Sequence, residues 1–125
     1  MSMVEKVAEF HQTFGVEIKD QPAIPNWRVK ELRIALITEE YKELIKAIEN
    51  DNIVEIADGI CDLHYVVSGT SLAYGLNEDK LFAEVHRSNM SKATADGKVL
   101  KREDGKILKA ETWTPPNLKR IIFGA

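Results

Sequence analysis

Three features of the sequence predict an all-α bundle of four helices. Apolar residues recur at three- and four-residue spacing in four separate stretches, asparagine or glycine marks most of their ends, and the connections are short. A single domain over residues 1–125 is expected, because a chain of 125 residues holds one modest core.

The first helix carries Met3, Val4, Val7, Phe10, His11 and Phe14 and stops at Gly15. Pro22 and Pro25 make the next stretch a loop or extended arm. Asn26 caps a second helix from about Trp27 to Glu49, and the polar break Glu49-Asn50-Asp51-Asn52 separates it from a third, from about Ile53 to Tyr74, ended by Gly75. Asn77, followed by Glu78 and Asp79, opens a fourth that reaches about Ser91. Beyond it the unit DGKVLK at Asp96 recurs as DGKILK at Asp104. Two apolar pairs around Asp104-Gly105 predict a short C-terminal hairpin, and the remaining tail is expected to be irregular.

Composition excludes several classes. With 44% apolar and 30% charged residues the chain is an ordinary globular one, and a net charge of -3 gives no reason to expect nucleic acid or an anionic membrane as partner. Cys61 is the one cysteine, so no internal disulfide forms; opposite the acids on its helix, it is expected to be a buried, inert thiol. No apolar run approaches the roughly 18 residues of a membrane span, and a cytoplasmic protein is expected.

The carboxylates between Thr38 and Tyr65 carry the functional reading. At 100° per residue, Val29, Leu32, Leu36 and Ala47 form an apolar stripe on the second helix that also contains Glu40 and Glu43, with Glu39 at its edge and Lys42 and Lys46 on the other side. The third helix is apolar around most of its circumference, yet Glu55, Asp58 and Asp62 share one narrow face. From Ala47 to Asp79 there is no Lys or Arg. Uncompensated ionised carboxylates cost several kcal/mol each to bury (an order of magnitude), so a cation is expected among them. An all-oxygen shell fits Mg2+, with Mn2+ as substitute, gripped by Glu40 and Glu43 facing Glu55 and Asp58. A solvated acidic surface is the plainer explanation of an isolated EExxE, but it leaves the apolar surroundings and the second acidic face unexplained.

EEYKE at Glu39 to Glu43, followed by EIAD at Glu55 to Asp58, resembles the EExxE and ExxD signature of the all-α nucleoside triphosphate pyrophosphohydrolases, a superfamily that includes MazG, the dimeric dUTPases and phosphoribosyl-ATP pyrophosphohydrolase. EIADGICDLHYVVSGTSLAYGL, VHRSNMSK and the DGK-containing tail ending in PP resemble the MazG-like, phosphoribosyl-ATP pyrophosphohydrolase-like subgroup, so the likeness runs from about Phe10 to Leu118.

The resemblance implies a MazG-like bundle that hydrolyses a nucleoside triphosphate between its α- and β-phosphates, giving the monophosphate and pyrophosphate. Under it Glu40, Glu43, Glu55 and Asp58 are metal ligands, Glu39 a ligand or the base that takes the water proton, and Asp62 a further ligand or support. Asn89 and Lys92, on the fourth-helix face shared by Leu81, Phe82 and Val85, are expected to point inward and hold phosphate. His11, Phe14 and Trp27 are candidates for stacking on the base, with core packing as the alternative.

Two other classes fit less well. A di-iron bundle needs Glu-x-x-His pairs, which His11, His64 and His86 lack. A non-catalytic metal- or nucleotide-binding module gives the inward acids no purpose. The expected role is nucleotide-pool house-cleaning, with phosphoribosyl-ATP as the alternative substrate. A third helix this apolar calls for a homodimer or homotetramer to cover it.

Overall fold

A computed structural model describes residues 1–94 and 96–124. Five helices form in chain order, α1 (Met3–Phe14), α2 (Trp27–Glu49), α3 (Ile53–Ala73), α4 (Glu78–Met90) and α5 (Leu118–Phe123), and no strand forms among the described residues. The all-α fold read from the sequence is the fold observed. None of the helices is long and apolar enough to cross a membrane. The chain divides into two compact units, Met1–Glu78 and Asp79–Ala125.

In the first unit α2 and α3 form an antiparallel hairpin and α1 packs on α3. Asn26 caps α2 by accepting from the amides of Arg28 and Val29, and Asn52 caps α3 by accepting from that of Glu55. Between α2 and α3, Asp51 takes a φ of 53°, a left-handed conformation that Asp tolerates better than most side chains. This tight turn sets the register: Leu44 lies on Gly59, and Arg33 reaches Val66 and Thr70. The arm after α1 is strapped to the end of α3, where the amides of Lys19 and Ala23 donate to the carbonyls of Leu72 and Tyr74. Gly75, at a φ of 66°, follows the α3 cap Tyr74, and a side chain there would collide with the Gln21 carbonyl.

The second unit is held by polar bonds. Ser88, buried on α4, donates to the carbonyl of Thr114 at 2.7 Å. Arg87 binds both carboxylate oxygens of Glu84 and reaches Thr114 and Pro115; it fastens the tail of its own chain. The expected hairpin forms at Asp104-Gly105, with an antiparallel bridge between Lys101 and Ile107.

Several expectations are corrected. The tail is not wholly irregular: Asn117 caps α5 by accepting from the Arg120 amide. Cys61 is exposed. The apolar arcs of α2 and α4 are wide, and the buried strips within them are those expected only in part: Ala47 is buried on α2, but Leu32 and Phe82 stand in the open, while Arg33 is buried on α2 and Ser88 on α4. On α3, Ile53 and Val54 are about three-quarters exposed, at 75% and 74%, so in the single chain its apolar circumference is left partly uncovered.

Candidate functional site

The turn at Asn50 to Asn52 folds α3 back along α2 and makes a cleft of about 440 Å³ between them. Glu43, Lys46 and Ala47 line it from α2, Asn50 from the turn, and Glu55, Asp58, Gly59 and Asp62 from α3. Small residues make the cleft possible, because Ala47 is buried and a Cβ on Gly59 would stand 3.2 Å from Leu44 Cα.

Glu40 lies one turn from Glu43 on the core side of α2. Its Oε2 is sealed from water and has no hydrogen-bond partner. Burial raises the Glu40 carboxyl above the usual carboxylate range, and the charges of Glu43, Asp62, Glu39 and Asp58 raise it further. Asp62 is raised as well, first by burial, then by the charge of Asp58 and a hydrogen bond with that carboxyl. A cation in the cleft would relieve the same repulsion.

Lys46 was expected on the far side of α2 and instead lines the cleft. It makes no ion pair with the acids among the described residues. The structure thus brings Glu43, Glu55, Asp58 and Asp62 together with Glu40 behind them, while Glu39 stands exposed beside Glu40. The donor set is all oxygen, and the orphaned Glu40 atom fits a hard cation. As the side chains stand, no three His, Cys, Asp or Glu among the described residues form a group that could hold a metal ion.

Asn89 is exposed and Lys92 lies just past the end of α4; both line a second cavity, of about 490 Å³, in the second unit. His11 is buried at 3% exposure, its Nδ1 2.9 Å from the Glu17 carbonyl, so it packs α1 and its ring has no open face for a base. Phe14 and Trp27 are exposed, Phe14 beside Phe10 at 4.5 Å between centroids and Trp27 under Arg28.

One residue escaped the sequence reading. Arg33, 4% exposed, donates from Nε to Thr70 Oγ1 at 3.2 Å and from Nη2 to the Val66 carbonyl at 3.0 Å, with no carboxylate paired to it among the described residues. It stands seven residues before Glu40, on the same face and about 10 Å along the helix. The seven-residue spacing of Arg33, Glu40 and Ala47 was the available signal.

A family model described as phosphoribosyl-ATP pyrophosphohydrolase matches residues 7–89, a span that holds every acid of the cleft. The chain is also 35% identical over 79 residues to an uncharacterized protein of Acanthamoeba polyphaga mimivirus, a match covering 60% of this chain and 32% of the viral one.

Proposed function

The chain belongs to the phosphoribosyl-ATP pyrophosphohydrolase family, within the MazG-like all-α pyrophosphohydrolases, and from that premise we propose that it hydrolyses nucleoside triphosphates between the α- and β-phosphates in a Mg2+-dependent reaction. The observation that carries the metal-dependent reading is the sealed, unpartnered Oε2 of Glu40 behind a cleft lined by four carboxylates.

Glu40, Glu43, Glu55, Asp58 and Asp62 are the residues that would hold Mg2+ or Mn2+. When bound, the ion supplies charge neutralisation at phosphate oxygens and lowers the pKa of water beside it. Glu39, exposed and adjacent, accepts the proton of the attacking water at a carboxylate oxygen. Asp62, one turn beyond Asp58 on the same face, supports it or adds a further ligand. Asn89 and Lys92 hold phosphate, the lysine as a point charge. Phe14 and Trp27 offer exposed rings for a base to stack on. The working form is a homodimer or homotetramer in the cytoplasm, in which a second copy covers Ile53 and Val54. Its role is clearing aberrant nucleotides.

Phosphoribosyl-ATP is the second reading for the substrate, favoured by the description of the matching family. One experiment separates the two. Release of pyrophosphate and orthophosphate is measured from ribo- and deoxyribonucleoside triphosphates and from phosphoribosyl-ATP, with and without Mg2+, beside Glu40→Ala and Glu43→Ala. Metal-dependent pyrophosphate release from triphosphates, lost in both variants, is the expected result. Turnover of phosphoribosyl-ATP alone would move the assignment to it, and silence across the whole panel from folded protein that binds Mg2+ would leave a binding module.

A further inference from the structure

The two units differ sharply in charge. Residues 1–78 carry fourteen acidic and seven basic side chains, and residues 79–125 carry six acidic and ten basic. The cavity of about 490 Å³ in the basic unit is lined by Asn89, Lys92 and, from the hairpin, Lys106, over an apolar floor that includes Met90, Val99 and Ile107. Among the described residues no carboxylate lines it.

The hairpin explains why Lys106 is available there. Gly105 takes a φ of 89° and closes the turn, and the Arg102 amide donates to the Lys106 carbonyl at 2.8 Å. Asp104, in the turn of the hairpin, accepts from Arg102 Nε at 2.9 Å and from the Lys106 backbone amide at 3.1 Å. Asp96, in the other DGK unit, lies 3.8 Å from Lys98 Nζ. Neither Lys92 nor Lys106 forms an ion pair among the described residues. Like charges on two lysines that line one cavity repel each other until an anion joins them, and a condensed phosphate carries enough charge to engage both.

We propose that Lys106 is the second cation of an anion pocket shared with Lys92 and Asn89, and that the pocket takes a pyrophosphate group. The inference rests on the reading of Lys92 as a phosphate contact and adds a residue outside the span matched by the family model.

Inorganic pyrophosphate titrated calorimetrically into the full chain in metal-free buffer isolates this pocket, because without metal the acidic cleft repels the anion. Lys106→Gln weakens the Kd about tenfold, the scale of one charge-assisted contact, Lys106→Arg stays within about threefold of the parent, and Lys98→Gln, which removes the same charge outside the cavity, leaves it unchanged. No pyrophosphate binding by the parent chain, or equal effects of Lys106→Gln and Lys98→Gln, would overturn the pocket. Turnover with Mg2+ is read on the same samples. Lys106-dependent binding in a chain that hydrolyses nothing upholds the pocket and sinks the hydrolysis; hydrolysis without Lys106-dependent binding does the reverse.

Discussion

Gly59 of α3 lies against Leu44 of α2 so closely that an added Cβ would stand 3.2 Å from the Leu44 Cα and 3.3 Å from its Cβ. A backbone atom cannot swing aside, so Gly59→Ala spreads the two helices at the wall of the acidic cleft. Overpacking costs about 1–3 kcal/mol, and the better helix propensity of Ala returns up to about 1 kcal/mol of it. The expected outcome is a lower urea midpoint together with weaker Mg2+ binding. An unchanged midpoint would mean that the close approach does not constrain the hairpin.

Gly69 is the harsher case. Its Cβ would stand 2.6 Å from Arg33 Nη2 and 2.8 Å from His11 Nε2, and the guanidinium is pinned by Val66 and Thr70. Gly69→Ala therefore loses about 3 kcal/mol, the upper end of overpacking. Arg33→Met removes a buried charge, and the Val66 carbonyl it leaves still accepts from Thr70 Oγ1 at 2.8 Å, so alone it changes stability by less than about 1 kcal/mol. The two substitutions combined recover stability relative to Gly69→Ala alone; simple additivity of their urea midpoints would contradict the contact.

These glycines mark the limit of what the sequence disclosed. Gly15, Asn26, Asn52 and Gly75 act locally, so the main helix boundaries were legible from single residues. The cleft was legible too, since Glu55, Asp58 and Asp62 share a face at any helix register. Arg33 was not, because a wide apolar arc on α2 does not say which part of it meets a neighbour. Lys106 was missed for a different reason: the hairpin was legible at Asp104-Gly105, but nothing within it says that Lys106 lines one cavity with Asn89 and Lys92, which lie further off in sequence. The tail helix was missed because six residues after Pro115-Pro116 give too short a pattern to read.

Glu40 sets stability against function. Its carboxyl is disfavoured in ionised form by burial and by four neighbouring acids, so Glu40→Gln raises the stability of the metal-free chain, by about 1 kcal/mol, while pyrophosphate release falls. Urea melts in metal-free buffer beside turnover assays check both halves. A variant less stable than its parent without metal would show that Glu40 is not strained there.

The pH dependence of the metal-free chain follows from the same pair. Glu40 and Asp62 keep their protons in the folded state at pH values where the unfolded chain has lost them. Their contribution is therefore intact below the ordinary carboxylate range and lost as pH rises through the raised values. Stability measured in metal-free buffer falls as pH rises above about 4. At pH 8 Mg2+ at about a hundredfold its Kd restores about 2.7 kcal/mol. A metal-free profile that rises over that window would reject the assignment.

In the second unit Glu84 runs the other way. The hydrogen bonds from Arg87 and from the Asn117 amide, the latter at 2.6 Å, hold its carboxyl down to about 2. Its contribution is present above the ordinary carboxylate value and is lost as pH falls toward about 2. Arg87, its partner, is exposed, so global stability is a poor probe and local protection is the right one. Hydrogen exchange at the Asn117 amide, corrected for the intrinsic rate, loses protection between about pH 4 and 2, and Glu84→Ala, which removes the acceptor, loses it already at pH 6. Protection that persists to pH 2 would mean that Asn117 is held by the fold of the tail and not by the Glu84 carboxylate.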